Sequence, residues 1–279
     1  MDARTLVREG KPSEALAALQ EHIRSSPAGA ADRIFLFQLL SVLGQWDRAL
    51  TQLNVAAEME PKLLLAAQLC RPALACEALR EEIFTGRRSP LILGEPQPWV
   101  GWMVEALALS GRGDHAGAAA LRAKALEEAP AVSGLINDQR FEWIADADPR
   151  LGPIIEAVIE GKYYWVPFPH VSEVLLEPPT DLRDAVWTQA QFIWTNGGHK
   201  VGLIPTRYAG TASAEDGALR LARRTDWLAG PGGEEAPIGQ RLFATDAGEF
   251  PILETRRIAL GAAAEQAPAE GGGTPGAEG

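Results

Sequence analysis

Ile204-Pro205-Thr206-Arg207-Tyr208-Ala209-Gly210, with Arg223, Arg224, Asp226 and Trp227 downstream, is the stretch of this sequence most able to do chemistry. A guanidinium forks onto carboxylates and a phenol stacks or donates a hydrogen bond, so Arg207 and Tyr208 suit recognition of a partner's acidic groups. The competing reading is an internal ion pair of Arg207 with Asp226 or Glu254, of the kind that stabilises a surface little. Asp146 and Asp148 are spaced as paired carboxylates but read as a solvated loop before Pro149. The histidines His22, His115, His170 and His199 are scattered, none at metal-ligand spacing. Cys70 and Cys76 lie six apart in a helical stretch and read as reduced, buried thiols. No Gly-x-x-x-x-Gly-Lys-Ser/Thr loop, Gly-x-Gly-x-x-Gly fingerprint or Gly-x-Ser-x-Gly elbow occurs. The sequence thus nominates no catalytic residue, no metal and no cofactor, and reads as non-enzymatic.

The elements that must carry these residues fall into two kinds. Leu6, Gly10, Ala15, Leu16, Leu19 and Pro27 return 34 residues later as Leu40, Gly44, Ala49, Leu50, Leu53 and Pro61, and Gly113, Ala118, Ala125 and Pro130 make a third copy. The pattern is helix, turn, helix: glycine ends the first helix, small alanines let the pair approach, and proline stops the second. It resembles the tetratricopeptide repeat, which has the same period. In between, Leu64–Leu69 and Ala73–Phe84 read as helical, interrupted by Pro72, before a Pro-rich loop from Ser89 to Pro98. Stacked helix pairs curve into a solenoid with a concave binding face. On that face the spacing places Ile34, Gln38, Ser41, Trp99 and Met103, which with Arg207 and Tyr208 make up the candidate partner-binding residues.

Beyond Pro130 a short helix is expected over Arg150–Glu160, closed by Gly161. Strand candidates then follow at Tyr163–Pro167, Val171–Leu176, Ala185–Thr195, Lys200–Pro205, Leu219–Trp227, Arg241–Ala244 and Phe250–Ile258. Asn196-Gly197-Gly198 is a hairpin signal, and Asp246-Ala247-Gly248-Glu249 offers a second turn. The expected class is α+β: tetratricopeptide-like all-α repeats over residues 1–132, a compact antiparallel sheet or partly open barrel over 133–260, and a disordered tail over 261–279, where branched apolar and aromatic residues are lacking.

The whole chain has 279 residues with 26 Lys and Arg against 37 Asp and Glu, a net charge of -11, so most of its surface repels a polyphosphate and nucleic acid is not an expected partner. The acidity sits mostly after residue 130. A charged N-terminus and the lack of a bilayer-length apolar run point to a cytoplasmic protein with no membrane partner.

Several blocks in order carry a family resemblance: Asp138-Gln139-Arg140-Phe141-Glu142-Trp143-Ile144-Ala145-Asp146, Tyr163-Tyr164-Trp165-Val166-Pro167, Leu182-Arg183-Asp184, Gly202 to Tyr208, Arg223-Arg224-Thr225-Asp226-Trp227 and Gly239 to Asp246. Together they resemble the ImpE/SciE/TagJ family of type VI secretion accessory proteins. The resemblance implies a non-catalytic cytoplasmic adaptor that binds the N-terminal helix of the small contractile-sheath subunit. By association it implies a place near the AAA+ ATPase that recycles contracted sheath. A repeat groove is suited to holding such a helix. Two other readings stand beside it: an enzyme or small-ligand binder with Arg207, Tyr208 and Asp226 in one cleft, and an oligomeric scaffold with Trp165 and Trp187 at a self-interface.

Overall fold

The computed structural model describes residues 2–25, 29–95, 97–230 and 232–265. The helices come first: α1 (Ala3–Arg8), α2 (Pro12–Ser25), α3 (Ala30–Val42), α4 (Trp46–Met59) and α5 (Leu64–Phe84), then a two-residue strand β1 (Leu91–Ile92), then α6 (Pro98–Gly111) and α7 (His115–Glu128). Three helix pairs, α1–α2, α3–α4 and α6–α7, match the three copies of the repeat. Each turns on a glycine with positive φ, Gly10 at 79°, Gly44 at 68° and Gly113 at 86°, where a side chain would be strained. Ala15, Ala49 and Ala118 are fully buried, as close helix packing requires. Pro61 follows α4 and Pro130 follows α7, while Pro27 lies outside the described residues.

The expected interruption at Pro72 does not occur, because α5 runs through it from Leu64 to Phe84. An internal proline costs about 3 kcal/mol, and the burial of Cys70, Ala73, Leu74, Cys76 and Ile83 around it offsets that loss. Both cysteines are free, and burial pushes each thiol up to about 11.

Strands dominate the rest: β2 (Gly134–Ile136), β3 (Gln139–Phe141), β4 (Ile144–Asp146), β5 (Ile154–Ile159), β6 (Lys162–Pro167), β7 (Val171–Leu176), β8 (Trp187–Trp194) and β9 (His199–Pro205), then the single turn of helix α8 (Gly217–Arg220), then β10 (Thr225–Ala229), β11 (Glu235–Gly239), β12 (Leu242–Thr245), β13 (Gly248–Pro251) and β14 (Arg257–Leu260). Nine strands form one sheet in the order β1-β6-β5-β9-β8-β7-β14-β2-β3, antiparallel except where β1 runs parallel to β6. A three-stranded sheet, β13-β12-β4, and the hairpin β10-β11 complete the half. Asn196 to Gly198 makes the β8–β9 turn, with Gly197 at φ 83°, and Asp246 to Gly248 makes the β12–β13 turn. Of the stretch expected to be disordered, Ala262–Glu265 form a short helix, α9, with Ala264 buried, and residues 266–279 lie outside the described residues.

Three local expectations are corrected. Arg150–Glu160 contains the strand β5, whose residues Ile-Ile-Glu-Ala-Val-Ile are buried on both faces. A continuous apolar run of this length does not distinguish a buried strand from a helix. Leu219–Trp227 divides between α8 and β10, and Phe250–Ile258 divides between β13 and β14.

Alternation along β5 explains the layering. Ile154 and Val158 join the core shared with the helices, together with Phe37, Leu74, Trp99, Met103, Trp165 and Trp187. Ile155, Ala157 and Ile159 enter a second core with Phe168, Phe192, Phe243 and Ile252. The nine-stranded sheet thus shares one core with the helices and a second with residues of the three-stranded sheet.

The ends of α5 and α6 touch backbone to backbone: a Cβ on Gly111 would sit 2.4 Å from the Thr85 carbonyl oxygen, and one on Gly86 would sit 2.3 Å from that of Leu107. Gly111→Ala is therefore expected to cost about 1–3 kcal/mol in urea unfolding, and an unchanged midpoint would show that the two helix ends are not in contact.

Candidate functional site

The seven residues nominated for partner contact lie mostly in the interior, and Arg207 is joined directly to α3. Gln38, Ser41, Trp99, Met103, Arg207 and Tyr208 are buried and Ile34 is half-buried. The concave face of the helices is filled by the chain's own second half: α3 lies against the turn Leu182–Ala185, and Trp46 meets Trp187 at a ring-centroid distance of 6.2 Å.

Arg207 pairs with neither Asp226 nor Glu254. Its Nη1 donates to the carbonyls of Val42 at 2.8 Å and Arg220 at 2.5 Å, and its Nη2 donates to that of Ser41 at 3.3 Å. Ser41 and Val42 close α3 and Arg220 closes α8, so one guanidinium caps the negative ends of two helices. Asp226 instead accepts from Arg224 on the exposed hairpin. The Tyr208 hydroxyl accepts from the Leu242 N–H at 2.8 Å and donates to its carbonyl at 3.3 Å, tying one backbone unit to the ring.

Around this lies a charged network that sequence reasoning missed. Glu156 on β5 is fully buried. Its Oε1 accepts from Arg80 Nε at 2.5 Å and from the Tyr163 hydroxyl at 2.5 Å, and its Oε2 accepts from Arg80 Nη2 at 2.9 Å and from Arg241 Nη2. Trp165 Nε1 donates to the Tyr163 hydroxyl at 3.0 Å. Arg80 comes from α5 and also donates to the Arg207 carbonyl at 2.8 Å. One turn earlier, Glu77 accepts from Trp187 Nε1 at 2.8 Å. Arg241 donates to Asp146 as well as to Glu156, to the Pro205 carbonyl at 2.8 Å, and stacks 5.4 Å over Tyr208.

Asp146 and Asp148 are therefore not a solvated loop. Both are buried; Asp148 binds Arg150 through two oxygens, and its N–H donates to Asp146 at 2.8 Å. The expectation failed for Asp146 because its partner Arg241 is 95 residues away. One signal was present in the sequence: a lone Glu156 in an apolar six-residue strand has to be matched by a buried cation.

The environment separates the carboxyls. Burial opposes the charge of Glu156, but Arg80 and then Arg241 overcome it and hold the group down to about 2. For Asp146 burial wins over the pull of Arg241 and pushes the carboxyl up to about 7. Glu77 is also raised by burial, against Arg80 and Arg207. Arg207, with only Glu77 to oppose burial, is lowered to about 10. The cavity over Trp46, Glu77, Arg80 and Arg207 measures about 10 Å³, no more than the volume that one water needs. The network can join two layers, but it offers no room for a substrate. Among the described residues no three His, Cys, Asp or Glu side chains are gathered where they could hold a metal ion.

The ImpE protein family matches residues 138–259. The type VI secretion system accessory component TagJ of Pseudomonas aeruginosa is 46% identical over 258 residues, covering 92% of this chain and 90% of that protein. A crystal structure of a Vibrio parahaemolyticus protein is similar with a TM-score of 0.82 at 25% identity, over 92% of this chain and 97% of that one.

Two outcomes follow from the network. Arg241→Met leaves Asp146 without its cation and takes one of two from Glu156, so unfolding free energy should fall by about 3–5 kcal/mol. Folding raises the Asp146 pKa from 3.8 to about 7, so its stabilising contribution is complete below 3.8 and drains as pH climbs through 7. Glu156, lowered from 4.5 to about 2, acts in the opposite sense: its contribution is present above 4.5 and is lost as pH falls toward 2. Urea midpoints measured from pH 4 to 8 should decline less with pH in Asp146→Asn than in the wild type; parallel curves would show that Asp146 does not titrate in this range.

Proposed function

Since this chain belongs to the ImpE protein family, we propose that it is a non-catalytic adaptor of a bacterial type VI secretion system that binds the N-terminal helix of the small contractile-sheath subunit. Likeness over nine-tenths of both chains to a protein named as an accessory component of that system is the observation that carries the proposal. In this reading the protein works in the cytoplasm and assists sheath assembly, or its recycling beside the AAA+ ATPase. No helix among the described residues is long and apolar enough to cross a membrane. Residues 1–132 and 133–260 remain the proposed division of the chain, although the core and the charged network run across it.

Both other readings lack the geometry they need. An enzyme using Arg207, Tyr208 and Asp226 requires an open cleft, whereas the first two are buried and satisfied by backbone groups and the third is tied to Arg224 on the exposed hairpin. A scaffold joined through Trp165 and Trp187 requires surface at residues that have none.

Calorimetric titration of the intact protein with a synthetic peptide of the sheath subunit's N-terminal helix should give saturable binding. A flat titration at protein concentrations of roughly 100 μM, where even a micromolar complex would be filled, would remove the helix as the partner.

A further inference from the structure

We propose that the partner helix docks in the groove between the end of α7 and the outward face of the three-stranded sheet, and that it does so as a basic amphipathic helix; this rests on the helix-binding reading above. The groove encloses about 440 Å³ and is lined by Leu126, Pro130, Trp143, Ala145, Ala147 and Ala244. Strand alternation builds its floor. Along β4 and the residues flanking it, Ile144 and Asp146 turn inward and are buried, while Trp143, Ala145 and Ala147 turn outward. Ala145 faces Ala244 across β4–β12, and Ala244 faces Glu249 across β12–β13, so one row runs over the three strands on the same side. Alanines along this row keep the floor low. Leu126 at 40% exposure and Trp143 at 41% stand as large apolar walls left open to solvent.

Charge identifies the occupant. Glu127 and Glu128 follow Leu126, Glu142 precedes Trp143, Asp246 accepts from the N–H of Glu142 at 2.7 Å, and Glu249 closes the alanine row. All five are exposed, and none of them forms an ion pair among the described residues. Of the cations nearby, Lys124 lies 3.9 Å over the Trp102 ring, Arg150 is held by Asp148 at 2.6 Å and Arg140 is exposed beside Glu142, which leaves the carboxylates in excess. An apolar trough with Glu249 at the end of its alanine row and an excess of carboxylates in the flanking segments fits a segment with an apolar stripe flanked by Lys or Arg. Strand addition is disfavoured here because the outer edge of β4 is already used, the Asp146 N–H donating to the Gly152 carbonyl at 2.7 Å.

The test uses the full chain and the labelled sheath-helix peptide in fluorescence anisotropy, with circular dichroism and thermal unfolding to show that each variant is folded. Leu126→Asp and Trp143→Ser should each weaken binding roughly tenfold or more. Glu142→Lys combined with Glu249→Lys should weaken it and flatten its dependence on salt. Leu65→Asp, at a side chain 78% exposed and outside the groove, should leave binding unchanged. If the wild type binds and both groove variants bind within twofold of it, the groove assignment is overturned while the helix partner stands. If the wild type does not bind, the helix-partner reading fails and the groove assignment falls with it.

Discussion

At the seam between helices and sheet, Glu77, Asp146, Asp148 and Glu156 pair with Arg80, Arg150 and Arg241, and Arg207 is buried beside them. Each charge removed from water costs several kcal/mol unless a partner and its hydrogen bonds restore the loss. That condition ties together places far apart in the chain. α5 has to pass β5 at the height where Arg80 reaches Glu156, and β12 has to begin where Arg241 spans Glu156 and Asp146. Arg207 satisfies the same condition with partial charges instead of whole ones, using the carbonyls that end α3 and α8. The apolar cores supply bulk attraction without direction, and the charged seam gives the two layers one register.

How much of this could be read from the residues depended on distance along the chain. The helix pairs were legible because glycine, alanine and proline at fixed spacing act within one turn or between neighbours. The β8–β9 hairpin was legible for the same reason at Asn196-Gly197-Gly198. β5 was not, since burial on both faces erases the alternation that marks a strand. The candidate site was the least legible part. Arg207 was rightly singled out, but its partners lie 165 residues upstream in α3 and 13 residues downstream in α8, and they are backbone atoms that no side-chain pattern reveals. Asp146 and Asp148 looked like a surface loop because they sit among Ala and Pro; Asp146 is matched by Arg241, brought in by β12 pairing with β4, and Asp148 by Arg150.

A helical repeat has its inner face ready for a ligand, and here that ligand is the rest of the polypeptide. Trp99 and Met103, placed where a solenoid would grip a peptide, belong instead to the core that also holds Ile154, Trp165 and Trp187. The recognition surface we propose therefore lies elsewhere, where the two halves meet at the exterior. The groove beside Leu126 and Trp143 has a wall from α7 and a floor from the small sheet. Repeat architecture therefore informs the shape of this chain more than it informs the location of its binding surface.

The same internal closure sets an order of events when the chain is made. Val42 is synthesised 165 residues before the Arg207 that caps it, and Arg80 precedes Glu156 by 76. At about 5–20 residues per second, the first of these intervals lasts roughly 8–33 s. Once made, the nascent helices carry Glu77, Arg80, Trp99 and Met103 without their partners from the second half, with both charges hydrated. The interval ends with Arg207, and Arg241, which completes the network on Glu156, is made later still.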